Sequence, residues 1–242
     1  MEKNSFNTSN SNITQNKISE KTKQIRAMAI TSCFLAISIL VSFATNYIKI
    51  TFLGDFLTLD LSLVFIVPII FICNIFWALF AGIVCGLAAF IWMGTGLWVG
   101  PIFIIVINVI IILLVYLWYF IIFKKIKKTS IKLSLTLLIT LILLMFLGSL
   151  LNGLIFTPLY WWIYNVIPIP SFIEAEKWYQ SQGPNPYLIY INTYWNGIFG
   201  LYSAFNLLKF GVIFIIIYGP LLLIINNNIA DRYFYRTNKK NP

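Results

Sequence analysis

Histidine is absent from this 242-residue chain, and cysteine occurs only three times. Without histidine the chain lacks the usual general base and the commonest metal ligand, which weakens every enzyme hypothesis that needs either. Cys33, Cys73 and Cys85 lie far apart in sequence, each within an apolar segment. Because neither a disulfide framework nor a metal-ligand spacing is visible, we interpret them as small core residues and expect no metal or cofactor.

Charged residues are also scarce, at 10% of the chain, whereas apolar residues make up 60%. A soluble domain of this length could not cover its surface with so few charges. The composition therefore predicts an all-α membrane protein that crosses the bilayer several times.

Nucleotide-binding and hydrolytic motifs are missing as well. The chain has no Gly-x-x-x-x-Gly-Lys-Ser/Thr phosphate loop, no Gly-x-Ser-x-Gly elbow and no His-Glu-x-x-His helix. It also lacks a cluster of acids suited to holding a metal on a diphosphate substrate. Catalysis by this chain is therefore not expected, and active transport would need an ion gradient or a partner ATPase.

Polar and apolar stretches divide the chain into three parts. Residues 1–25 are rich in Asn, Ser, Thr and Lys and are predicted to form a disordered cytoplasmic tail. Residues 26–227 are predicted to form a bundle of six transmembrane helices, and residues 228–242 a basic cytoplasmic C-terminal tail. The predicted spans are residues 27–47, 62–74, 76–93, 101–123, 133–156 and 198–225. The second and third are the hardest to separate, because they run together through Asn74.

The positions of lysine and arginine give an independent test of the six-span count. Basic clusters precede the first span, separate the fourth from the fifth, and follow the sixth. With six spans all these clusters fall on one side, which the positive-inside rule makes the cytoplasm. We interpret the cluster at residues 124–128 as a topology anchor beside anionic lipid headgroups. The net charge of +10 therefore requires no nucleic-acid partner.

Lys209 lies inside the long apolar run of residues 197–225. The membrane interior penalises a cation at a helix centre by about 2.5 to 3.5 kcal/mol, so such a lysine is a candidate functional residue. Tyr202 and Asn206 precede it at helical spacing and share its face. These three residues resemble a ligand-contact surface. The alternative is that Lys209 extends its side chain to the outer membrane interface.

Asn152 is a second polar residue in an apolar span, and Thr157-Pro158-Leu159-Tyr160 follows it. Its amide either satisfies a neighbouring backbone group or faces a cavity and binds a ligand. Pro158 is expected to end or kink the helix at the preceding residue. A long outer loop over residues 157–197 would follow, and its aromatic rings either form a belt at the headgroup level or contribute to binding.

Small residues recur at helical spacing in two spans. Gly82 and Gly86 in the third span predict close packing of helices within the bundle. The first span carries a second small-residue face, which suits either internal packing or contact with a partner. Its residues are Ala29, Ser32, Cys33 and Ala36.

Several stretches resemble one family, the substrate-binding S components of energy-coupling factor (ECF) vitamin transporters, and in particular their riboflavin-specific branch. The matching stretches are Phe-Leu-Thr-Leu-Asp-Leu-Ser at 56–62, Gly-Thr-Gly at 94–96 with Gly-Pro at 100–101, Leu-Asn at 151–152 with Pro-Leu-Tyr at 158–160, and Phe-Asn-Leu-Leu-Lys at 205–209. Together they extend over about residues 26 to 225. Their order agrees with six spans and cytoplasmic termini.

The resemblance implies a six-helix, non-catalytic subunit of the plasma membrane that captures riboflavin or a related vitamin from outside. It also implies docking onto a membrane scaffold subunit that carries two ATPases, with the small-residue face of the first span as a contact. The implied substrate-binding residues are Asn152, Tyr160, Tyr202, Asn206 and Lys209. The alternatives are an S component for another vitamin, such as folate, or an autonomous secondary transporter.

Overall fold

The computed structural model describes residues 20–45, 57, 59–92 and 98–230. Most of the two predicted tails and the glycine-containing stretch at 94–96 lie outside these residues. Every regular element in the described part is a helix. The α-helices are α1 (Glu20–Thr45), α2 (Leu63–Ile72), α3 (Ile75–Ala88), α4 (Val99–Tyr116), α5 (Thr129–Leu151), α6 (Thr157–Ile163), α7 (Phe172–Gln182) and α8 (Tyr194–Asn226).

Short helical turns of other types extend or connect these helices. Wide π turns follow α4 at Leu117–Ile121 and α5 at Asn152–Phe156. Tighter 3₁₀ turns occur at Ala89–Ile91, Ile122–Lys125 and Pro186–Leu188. The π turn at Asn152–Phe156 joins α5 directly to α6, so one helical segment runs from Thr129 to Ile163.

Four of the described helical segments are long and apolar enough to cross a membrane. They are Glu20–Thr45, Val99–Lys125, Thr129–Ile163 and Tyr194–Asn226. The apolar helices Leu63–Ile72 and Ile75–Ile91 are shorter. These segments support the predicted class of an all-α membrane protein, whereas the six-span count with cytoplasmic termini stays a prediction.

The break between α2 and α3 falls at Asn74, the residue at which the second and third predicted spans meet in one apolar run. Asn74 has an extended backbone and caps α3, because its side-chain oxygen accepts a hydrogen bond from the Trp77 backbone N–H at 3.1 Å. Asparagine is a favoured N-cap residue for this reason. The continuous apolar run therefore folds into two consecutive helices.

The glycines of α3 lie against α4. A Cβ atom built on Gly82 would be 2.9 Å from Ile112 Cδ1 and 3.3 Å from Asn108 Cβ, and a Cβ on Gly86 would meet Ile105. The Asn108 amide also donates a hydrogen bond to the Gly82 carbonyl at 3.1 Å. Small residues thus bring the two backbones together, which confirms the expected packing role within the bundle.

Helix α1 packs against α2 and α3 through a face of small and hydroxyl-bearing side chains. The buried residues of this face are Ala27, Thr31, Ser38, Ser42 and Thr45. The other face is exposed and includes all four residues of the predicted small-residue surface, Ala29, Ser32, Cys33 and Ala36. Helix α1 therefore uses a different face for packing within the described chain.

The expected helix end before Pro158 is wrong, because the helix continues to Ile163. Pro158 lies at the start of α6, directly after the π turn. Proline is tolerated inside a continuous membrane helix where a local π adjustment and side-chain donors satisfy the freed backbone groups, and here the Gly153 carbonyl of the π turn accepts the Tyr194 hydroxyl.

The predicted outer loop over residues 157–197 is consequently shorter and more helical than expected. Helix α7 lies within it, and the Ser171 hydroxyl caps this helix by accepting a hydrogen bond from the Glu174 backbone N–H at 3.4 Å. Thr193 caps α8 in the same way, through the Asn196 backbone N–H at 3.4 Å. Helix α8 therefore starts at Tyr194, before the predicted start of the sixth span.

Candidate functional site

A group of polar side chains lies buried where α5 and its π turn pack along α8. We call Asn152, Thr157, Tyr202, Asn206 and Lys209 the polar cluster. None of these residues is more than 8% exposed. Tyr202, Asn206 and Lys209 therefore all lie on the buried side of α8, as their spacing predicted.

The two asparagine side chains meet the same turn of α5. Asn152 Nδ2 donates to the Gly148 carbonyl at 2.8 Å, and Asn206 Nδ2 donates to the Leu144 carbonyl at 3.4 Å. Within the described part of the chain, neither side-chain oxygen accepts a hydrogen bond. Each amide therefore has an acceptor oxygen left for a further donor.

Gly148 makes the close approach of Asn206 to α5 possible. A Cβ atom at residue 148 would lie 2.5 Å from Asn206 Nδ2, which is shorter than any ordinary contact. Only glycine therefore leaves room for the amide in this position. Gly148 lies one helical turn before Asn152 and shares its face of α5.

Hydroxyl groups join the same two helices near the π turn. The Thr157 and Tyr202 hydroxyls lie 2.9 Å apart, and the Tyr194 hydroxyl donates to the Gly153 carbonyl at 2.6 Å. Interhelical hydrogen bonds of this kind hold helices together in an apolar medium. Because π turns occur frequently at functional sites, the position of the π turn Asn152–Phe156 beside the polar cluster favours a functional role for this region.

Lys209 is the one cation of the polar cluster. Its Nζ lies 5.9 Å from the centre of the Phe205 ring and 5.6 Å from that of Phe210. The ammonium has no hydrogen-bond or ion-pair partner among the residues that the structure describes. Burial of the side chain, at 8% exposure, disfavours the alternative in which it extends along the outside of the bundle.

Asp60 is a buried carboxylate that the sequence analysis did not assign to the site. It lies just before α2 and is 6% exposed. Asp60 Oδ1 accepts a hydrogen bond from the Ser62 backbone N–H at 2.9 Å, and its charge is near enough to Lys209 for the two to interact. No Asp or Glu follows Asp60 until Glu174. This position, as the last acid before a long stretch without acids, was the signal that the sequence offered.

Aromatic rings from α6, α8 and the segment between them form a cap beside the polar cluster. Trp161 is central to this cap, and its ring centre lies 5.0 Å from that of Trp178 and 5.9 Å from that of Tyr194. Tyr202 belongs to the same hydrophobic cluster, and Tyr160 is half-buried against it. Other rings, including Trp162, Tyr164 and Tyr190, are exposed and remain suited to a headgroup belt.

Two curated proteins are similar to this chain in sequence. The chain is 35% identical over 198 residues to "Uncharacterized protein MG350.1 homolog" of Mycoplasma pneumoniae, a match that covers 80% of this chain and 84% of that protein. It is 33% identical over 192 residues to "Uncharacterized protein MG350.1" of Mycoplasma genitalium, covering 78% and 84% respectively. No protein-family model matches the chain.

A solved structure has the same fold. It is described as "Structure and mechanism of the S component of a bacterial ECF transporter" and matches with a TM-score of 0.60 at 22% sequence identity. The match covers 85% of this chain and 98% of that one. The chain thus belongs to the family of the two mycoplasma proteins and has the fold of the S component of a bacterial ECF transporter.

Proposed function

We propose that this protein is the substrate-capture subunit of an ECF-type importer and that it binds riboflavin. It would lie in the plasma membrane with six spans and cytoplasmic termini, and take the vitamin from the outside. The observation that carries this proposal is the polar cluster, which combines a buried ammonium with two amides. Among the described residues the ammonium has no hydrogen-bond or ion-pair partner, and the two amide oxygens accept no hydrogen bond. The S-component fold supports the same role.

The chemistry of the polar cluster favours a ligand that offers both hydrogen-bond donors and acceptors. Lys209 can only donate, so it needs an acceptor, whereas the free oxygens of Asn152 and Asn206 need donors. Aromatic side chains next to these groups, among them Phe205 and Tyr202, suit a flat apolar ring. The isoalloxazine ring of riboflavin combines flat apolar area with carbonyl oxygens and an N–H group.

Riboflavin binding is tested most directly by purifying the full chain from cells grown with the vitamin. We expect the protein to carry a bound yellow chromophore, and the vitamin-free protein to quench flavin fluorescence on titration. Folate, titrated in parallel, is expected not to compete. If the protein is colourless and does not bind riboflavin but binds folate or another vitamin, riboflavin is not the substrate, and the S-component role is unaffected.

Transport by this protein is proposed to need a separate membrane scaffold subunit and two ATPase subunits. The absence of a phosphate loop from the sequence supports this, because the chain then has no visible means of using ATP. The exposed face of α1 is the proposed contact, since its small residues allow a second helix to approach closely. Its residues are Ala29, Ser32, Cys33 and Ala36.

If α1 is the contact, a substitution on its exposed face should affect assembly with the partner subunits but not riboflavin binding. Ala36→Trp is expected to leave riboflavin affinity within about twofold but to abolish co-purification of the scaffold and ATPases, because a large ring blocks close helix packing. Ile215→Trp is the matched control, since Ile215 is 78% exposed and belongs to α8 rather than α1. Equal co-purification of the two variants would place the contact elsewhere.

An autonomous secondary transporter is the remaining alternative, and the same preparation distinguishes it. Purified protein in vesicles without ATPase subunits is expected to bind riboflavin without accumulating it. Accumulation driven by an ion gradient alone would identify a secondary transporter instead.

A further inference from the structure

Asp60 has acceptor capacity that the described chain does not use. One of its oxygens accepts the Ser62 N–H, while a carboxylate offers about four acceptor sites in all. Helices α2 to α6 and α8 contain no Asp or Glu. Among the residues that the structure describes, Asp60 is the one buried carboxylate, so it is placed to balance a buried cation.

The segment that carries this carboxylate crosses from one hydrophobic cluster to the other, as α8 does around Lys209. Leu57, before it, belongs to the same hydrophobic cluster as Phe205. Leu63, after it, belongs to the same cluster as Phe210. Since Phe205 and Phe210 flank Lys209 on α8, the packing places the carboxylate and the ammonium in the same region of the bundle.

Asp60 and Lys209 both lie at the boundary between the two hydrophobic clusters but do not form an ion pair. Their charges are close enough to interact, but neither a hydrogen bond nor an ion pair joins the two side chains. Both groups are buried and have therefore lost much of their hydration, which only close partners would restore. The ammonium still has three donors to satisfy, and the carboxylate still has free acceptor sites.

We propose that Asp60 is a ligand-binding residue and that it acts together with Lys209. A ligand group that carries an N–H beside a carbonyl lies between them. The N–H donates to the Asp60 carboxylate, and the carbonyl oxygen accepts from the Lys209 ammonium. This inference rests on the function proposed above and defines the substrate class, which is a molecule with a neutral amide-type or imide-type edge.

Charge balance makes this arrangement selective. Asp60 and Lys209 together carry no net charge, so a neutral edge leaves the buried region neutral. A carboxylate or phosphate placed between them would meet the charge of Asp60 where little water screens it. The ring of riboflavin fits the neutral class, because its N–H lies between two carbonyl groups.

The experiment compares the full chain with Asp60→Asn in detergent solution, using fluorescence titration with riboflavin and with 3-methylriboflavin. The methyl group replaces the ring N–H and so removes the proposed donor. Asparagine keeps an oxygen for the Ser62 N–H, which favours correct folding. Glu174→Gln is the matched control, because Glu174 pairs with Lys177 on α7, a helix of the cap segment.

We expect Asp60→Asn to weaken riboflavin binding at least about tenfold, the scale of a lost hydrogen bond to a charged group. Methylation of the ligand is expected to weaken binding to the unchanged protein by a similar factor, and by less in Asp60→Asn, because both changes remove the same contact. Glu174→Gln should stay within about twofold. Measurements with the methylated ligand on the unchanged protein do not depend on how the variant folds.

The outcomes separate this inference from the proposed function. Equal riboflavin affinity of Asp60→Asn and the unchanged protein, or equal binding of the methylated ligand, would overturn the role of Asp60 and leave riboflavin as the substrate. If riboflavin does not bind, thermal unfolding with biotin and with folate follows, because each has a neutral edge with an N–H beside a carbonyl. If another vitamin binds and Asp60→Asn weakens its binding tenfold, riboflavin is not the substrate but the role of Asp60 stands. If Asp60→Asn leaves the binding of that vitamin unchanged, or if no vitamin binds, both riboflavin as the substrate and the role of Asp60 are overturned.

Discussion

Replacing Lys209 with methionine is expected to weaken riboflavin binding by at least about 1.5 kcal/mol, roughly tenfold, while the protein still folds and is expressed. Methionine keeps an unbranched chain of similar length but removes the buried ammonium, which is the proposed donor to the ligand. Asp60 retains its hydrogen bond from the Ser62 backbone, and this favours folding of the variant. Fluorescence titration of the purified protein measures the change in affinity.

Lys177→Met is the matched control for this substitution. Lys177 lies on α7, its side chain is 66% exposed, and it pairs with Glu174 at 2.9 Å. Exposed pairs contribute little, so riboflavin affinity is expected to stay within about twofold. If Lys209→Met binds riboflavin as well as the unchanged protein does, Lys209 is not a ligand contact.

Gly148→Ala is expected to weaken riboflavin binding by more than about tenfold and to lower the free energy of unfolding by about 1 to 3 kcal/mol. The added Cβ would lie 2.5 Å from Asn206 Nδ2, so the amide must move away from α5 and lose its bond to the Leu144 carbonyl. Affinity is measured by titration, and stability by thermal unfolding without ligand.

Gly211→Ala provides the control, because a Cβ at residue 211 of α8 would meet nothing within 4 Å. Alanine favours helix formation over glycine by about 1 kcal/mol, so this variant is expected to be unchanged or slightly more stable. Its riboflavin affinity should equal that of the unchanged protein. Loss of stability in Gly148→Ala without loss of affinity would show that Asn206 packs the helices but does not contact the ligand.

The sequence was sufficient to find the long apolar helices and one side of the candidate site, but not α6 and α7, which lie in the predicted outer loop. Polar residues are conspicuous in an apolar run, so Lys209, Asn206 and Asn152 could be recognised individually. Helical spacing then placed Tyr202 on the face of Lys209, and the structure buries both on one side of α8. These conclusions depend only on local periodicity, which a single sequence contains.

Contacts between distant parts of the chain could not be predicted in the same way. The approach of Asn206 to Gly148 depends on how α5 and α8 pack, and the proximity of Asp60 to Lys209 depends on how the segment before α2 lies along α8. The effect of Pro158 was misjudged for a related reason. Pro158 does not end the helix, because the π turn before it and the Tyr194 hydroxyl from α8 adjust to the missing N–H, and the second of these is a contact between distant parts of the chain.

The π turn at Asn152–Phe156 also sets the rotational phase of everything that follows it in α6. Such a turn amounts to one additional residue in an α-helix, and one residue corresponds to a rotation of about 100°. Loss of a single residue there would turn Thr157 away from the Tyr202 hydroxyl, although no side chain had been substituted. Among related chains, insertions and deletions of one residue at this turn are thus a route to a different set of side chains beside the polar cluster.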